Sequence, residues 1–189
     1  MATSKVALAN YALQKLGAKR IASLTEDSAN ARSMNAAFDL KLRAEMRRYT
    51  WSFAIARASI AADPAGPTWG DFNRYSLPND FLRLIRDDET GQNVDWKREG
   101  DYILSADSAP LEFRYLAFVD DPNKYDALFI EAFCCALADH TCEEITGSTA
   151  KKNGIRADYA DAIAEAKRTN AIEKGALDFP EDDWLNARL

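Results

Sequence analysis

The sequence predicts a mainly α fold: a helical bundle of about four helices, a small inserted antiparallel β unit and an extended C-terminal tail. Three observations carry this. Apolar residues recur every three or four positions over four separate stretches. Alternation at every second position is confined to the middle of the chain. A Pro-bearing segment rich in acids follows the last helical stretch. The division that follows is 1–66 and 119–175 for the bundle, 67–118 for the β unit and 176–189 for the tail.

The first helix is expected from Ser4 to Leu16, with Val6, Leu8, Leu13 and Leu16 on its apolar face and Gly17 ending it. A connection with Ile21 and Leu24 turned inward follows, and Asp27 or Ser28 caps the second helix. That helix buries Ala31, Met34, Phe38, Leu42, Met46 and Tyr49, while Arg43, Arg47 and Arg48 load its last turns, where the helix dipole favours cations. In "YTWSFAIARASIAA" the spacing of Trp51, Phe53 and Ile55 fits a short strand or a bent extension of the helix, and "DPAGPTWG" punctuates it. "VDWKREGDYILSADSAPLEFRYLAF" reads as strand, Gly turn, strand, turn, strand. Helical spacing returns from Asp121 to Ile145 with a broad apolar face. It resumes from Ser148 to Lys174, where Ile155, Tyr159, Ala162, Ile163 and Ala166 mark the buried stripe.

Composition narrows function more than it names it. With 47% apolar and 29% charged residues the chain reads as globular. The opening "MATSKVALANYALQKLGAKR" has apolar residues at helical spacing rather than a solid block, so it reads as structure and not as a signal peptide. No apolar run approaches the ~20 residues of a membrane span. The net charge of -6 argues against tight, nonspecific phosphate binding by the molecule as a whole. Cys134, Cys135 and Cys142 share one helix and read as reduced thiols in a reducing compartment. His140, the single histidine, reads as a hydrogen-bonded structural residue. It has no partner at metal-ligand spacing and no cysteine four residues away, so neither a zinc site nor a Cys–His nucleophile is expected. No phosphate loop, dinucleotide fingerprint or serine elbow occurs. No catalytic residue and no cofactor is therefore assigned.

Two features point to partners instead. Lys151, Lys152 and Arg156 cluster near a helix start, where the dipole disfavours cations, and form a possible interface with an acidic partner. The tail "LDFPEDDWLNARL" carries Phe179, Trp184, Leu185 and Arg188 among acids. It is too short to bury Trp184 within itself, so it either packs back on its own body or docks on another chain.

The order of these features resembles the head-to-tail adaptors of short-tailed phages, the tail tubular protein A family. The resemblance spans nearly the whole chain. It rests on the "LGAKRIASLTEDSANAR" opening, "WSFAIARASIAA", "RYSLPNDFLRLI" and "LFIEAFCCALADHTCEEITGS", in that order. It implies a structural virion protein at the head–tail junction, assembled in the host cytoplasm. About twelve copies would form a ring between the portal protein and the tail nozzle protein. Genomic DNA would pass through the lumen without sequence-specific binding, with no membrane partner. It also implies that Phe179, Trp184, Leu185 and Arg188 dock on the portal, and that residues 69–118 meet the nozzle. Cell-wall hydrolysis has been attributed to relatives, so a peptidoglycan-degrading, tail-associated hydrolase is the alternative.

Overall fold

The computed structural model describes residues 3–85 and 96–174. Helices α1 (Lys5–Lys15) and α2 (Ala29–Arg48) lead through a 3-10 turn, Ser52–Ala54, into six strands. These are β1 (Ile55–Ile60), β2 (Asn73–Ser76), β3 (Phe81–Leu84), β4 (Trp96–Glu99), β5 (Tyr102–Ser105) and β6 (Leu111–Ala117). A second 3-10 turn, Pro122–Lys124, precedes α3 (Ala127–Thr146) and α4 (Thr149–Glu173). Among the described residues four helices, as expected, and two antiparallel sheets of three strands make the fold mixed α/β, so the mainly α expectation fits only in part. The strands were under-read because most are four residues long, too short to show alternation.

The helix ends follow the sequence signals. Ser4, Ser28, Asp126 and Ser148 each cap a helix, their side chains accepting backbone N–H groups of the first turn. Gly147 ends α3 in the left-handed region at φ 63°, which a residue with a Cβ adopts only at a cost. Helix α3 is the axis of the bundle and packs against α1, α2 and α4. It is buried on most of its circumference, including Phe129, Phe133, Leu137 and all three cysteines. The cysteines are unpaired thiols, and burial pushes the Cys134 thiol far above its usual range.

Trp51 joins the helices to the sheets. Fully buried, it sits edge-on to Phe129 at 5.0 Å and donates its indole N–H to the Glu45 carbonyl at 3.1 Å. The next residues turn into β1, which pairs along its whole length with β6, from Ile55 opposite Leu116 to Ile60 opposite Leu111. Strand pairing therefore crosses the sequence boundary at residue 66. The first sheet, ordered β1-β6-β3, lies between two cores. Leu116 and Leu82 join the helical core, while Leu111 and Leu84 pack with Tyr75 and Ile103 of the second sheet, ordered β2-β5-β4. A bulge between Phe81 and Arg83 makes this possible. It places Phe81 and Leu84 on the Tyr115 side although they are three residues apart, and frees Leu82 for the helices.

Candidate interaction surface

The loop between β1 and β2 has a fixed base and an exposed tip. The Asp63 N–H donates to the Arg74 carbonyl at 2.7 Å, and the Asp63 carboxylate receives Arg74 Nε at 3.0 Å and Nη2 at 2.6 Å. The Ala65 N–H also donates to it, at 2.9 Å. That bond first, and the guanidinium second, hold the carboxyl below its usual range. Arg74 in turn lies over the Tyr102 ring at 4.6 Å. From this base the chain runs out to Trp69, which is 86% exposed. In sequence "DPAGPTWG" reads as punctuation alone. A Trp in a stretch broken by Pro64, Gly66, Pro67 and Gly70 has no helix or strand of its own to bury it, and that is the available signal.

A groove of about 420 Å³ opens where the helices meet the first sheet, lined by Phe53, Ile55, Ala117, Phe118, Asp80 and Asp120 among others. The Tyr115 hydroxyl donates to Asp80 at 3.0 Å; burial and then this bond push the phenol up to about 12. Arg43 stacks on the Phe118 ring at 3.8 Å. A partly apolar trough results, in which Asp80, Asp120 and Asp121 outnumber Lys124.

Elsewhere, charged groups are engaged in holding helices together. Tyr11 and Lys15 of α1 both donate to Glu131 of α3, Lys15 at 2.5 Å. Partial burial works against the Glu131 carboxylate, but the two donors outweigh it and hold its pKa below the usual range.

The predicted interface cations behave in the same way. Lys151 donates to the Leu16 carbonyl at 2.6 Å and so closes the end of α1. Lys152 pairs with Glu143 at 2.7 Å, and Arg156 lies 3.6 Å from Asp139. All three thus have partners across the α1–α4 and α3–α4 contacts. His140 is exposed on α3 rather than a buried, hydrogen-bonded residue, because it falls on the flank of the helix that α1, α2 and α4 leave uncovered. Phe179, Trp184, Leu185 and Arg188 lie outside the described residues. Among the described residues no three potential ligands gather at metal-binding distance, and no helix is long and apolar enough to cross a membrane.

No family model matches this chain, and none of the curated proteins gives a significant match. Among the described residues the most exposed large apolar side chains stand on three different elements: Leu40 of α2 at 73%, Trp69 of the β1–β2 loop at 86% and Ile172 of α4 at 74%.

Proposed function

We propose that this chain is the repeating subunit of a virion ring that joins the capsid portal to the tail nozzle, with about twelve copies around a lumen that carries the genome. The chain is a scaffold and not an enzyme, and it uses no cofactor. Its partners are the portal protein, the nozzle protein and further copies of itself. DNA slides past without sequence-specific binding, helped by the net charge of -6, which repels phosphate. Assembly takes place in the host cytoplasm, and the site of action is the head–tail junction.

The observation that carries the reading is the exposure of Leu40, Trp69 and Ile172 on three elements. A closed ring needs at least two unlike patches per subunit, one for each neighbour, and an adaptor needs further patches for what lies above and below. The residues behind the resemblance support it too, because they hold junctions of the chain. Ser28 caps α2, Trp51 links helices to β1, Pro78 precedes β3, and Gly147 and Ser148 form the α3–α4 turn. In the finer form of this reading the helices form a bundle bearing the β unit, which meets the nozzle. The tail meets the portal through Phe179, Trp184, Leu185 and Arg188.

Electron microscopy of the protein mixed with its portal tests this. Rings seated on the portal are expected, and Trp184→Ala should weaken their binding by ~2 kcal/mol or more per copy. A mixture without complexes would overturn the reading. Clearing of peptidoglycan that is lost on one carboxylate substitution would replace it with the hydrolase.

A further inference from the structure

The surface around Tyr49 and Thr50 is strongly cationic in a chain whose net charge is -6. Lys167 Nζ lies 5.6 Å from the centre of the Tyr49 ring, and Lys174 Nζ lies 5.5 Å from it. Arg83 Nη2 donates to the Thr50 hydroxyl at 2.7 Å, and Arg47 donates to the neighbouring Leu82 carbonyl. Cations from α2, β3 and α4 thus flank the Tyr49–Thr50 segment and the adjoining β3. A ring, a hydroxyl and a carbonyl position Lys167, Arg83 and Arg47, and these three partners carry no net charge.

Counter-charge is missing among the described residues. Arg47, Arg83 and Lys167 have no carboxylate within ion-pair distance. Glu45, the acid on this part of α2, is buried and already holds Arg48 at 3.3 Å and the Tyr159 hydroxyl at 2.7 Å. Arg83 Nε is also buried with no hydrogen-bond partner. A belt of this kind attracts a concentrated negative charge.

The sequence contains a complement. Residues 178–185 read DFPEDDWL: Asp178, Glu181, Asp182 and Asp183 with Phe179 and Trp184, and no base. This segment is tethered to the belt itself through Lys174. Asp178 to Asp183 lie four to nine residues beyond Lys174, within roughly 14–30 Å of extended chain. A tether that short gives a local concentration of order millimolar. We infer that the belt formed by Arg47, Arg83 and Lys167 seats the acidic segment 178–185 of the same chain. The inference goes beyond the adaptor reading. It makes the belt and a portal alternative seats for one segment, and it is tested on the free protein with no portal present.

The test is zero-length carbodiimide coupling of the full-length protein at low salt, with the linked peptides mapped by mass spectrometry in a mixture of isotope-labelled and unlabelled copies. Lys167 should form an amide with Asp178, Glu181, Asp182 or Asp183 of the same copy, and the yield should fall about tenfold near 1 M salt. A second variant, with all four acids neutralised (D178N/E181Q/D182N/D183N), should raise the rate of Lys167 acetylation by an amine-reactive reagent several-fold. Absence of Lys167 coupling, coupling only between differently labelled copies, or an unchanged acetylation rate would overturn the inference. So would an added duplex of about 20 base pairs that shields Lys167 equally in both proteins, which would assign the belt to nucleic acid instead.

Discussion

The Tyr159 hydroxyl donates to the Glu45 carboxylate at 2.7 Å and so ties α4 to α2. Glu45 is only 2% exposed, and a buried carboxylate is tolerated only when its oxygens are matched. Arg48 supplies the opposite charge at 3.3 Å and also lies over the Tyr159 ring. Tyr159→Phe keeps the ring and removes the donor. It should cost about 1–3 kcal/mol in urea unfolding. A loss under ~0.5 kcal/mol would mean that Arg48 alone satisfies the acid.

Asn170 plays the matching role further along α4. Its amide accepts from the Ser52 N–H at 2.8 Å and donates to the Thr50 carbonyl at 3.0 Å, fixing the junction between α2 and the sheets. Asn170→Leu is close in volume but leaves the Ser52 N–H without its acceptor, while the Thr50 carbonyl keeps only Lys174. An unmatched group of this kind costs roughly 1–3 kcal/mol when buried. The melting temperature should fall accordingly, whereas Asn170→Asp, which keeps only the acceptor, should lose part of that amount.

The helices were legible because their signals are local: Ser caps, Gly ends, and Ala31, Met34, Phe38, Leu42 and Met46 at steps of three and four, which share a face on a helix and not on a strand. Asn170 was not legible. A polar residue on an apolar stripe looks like a boundary of that stripe, and its partners Thr50 and Ser52 lie about 120 residues away. The layering of the sheets was hidden for a similar reason. Tyr115, Leu116 and Ala117 are all buried because the end of β6 is covered on both faces, and that erases the alternation seen from Leu111 to Tyr115. His140 reads as part of a core helix because the apolar run from Ala132 to Ala138 precedes it, although it is exposed on α3. His140→Ala should accordingly change stability by less than ~0.5 kcal/mol, as surface substitutions do.

The Tyr115–Asp80 pair predicts a loss of stability in alkali. Burial and the carboxylate beside it raise the phenol from 10.0 to about 12 in the folded protein. The fold therefore keeps a proton that the unfolded chain has lost between pH 10 and about 12. Stability from this group is complete below that window and falls as the pH rises through it. Unfolding midpoints measured across the window should decline less steeply in Tyr115→Phe. An equal decline in both proteins would assign the alkaline loss to other groups.

Trp69 carries the last prediction. Deleting residues 67–118 would be a poor test of the β unit, because it removes β6 and β3. That would strip β1 of its partner and take Leu82 and Leu116 out of the helical core. Trp69→Ala leaves all of this in place. The side chain is 86% exposed, so thermal stability should change by less than ~0.5 kcal/mol. The base of its loop is closed by Asp63 and Arg74, which shortens the segment that docking must order and so lowers that cost. Exposed Trp is the residue type most enriched among the few that dominate an interface, and its truncation there costs ~2 kcal/mol or more. In the adaptor reading Trp69→Ala should therefore keep portal binding and weaken nozzle binding by about 30-fold or more, since each 1.4 kcal/mol is tenfold. Breaking the brace with Asp63→Ala, while leaving Trp69 in place, should give a smaller loss of the same binding. Loss of portal binding with nozzle binding intact would move Trp69 to the opposite end of the ring, and no change in either would make it a side chain that no partner covers.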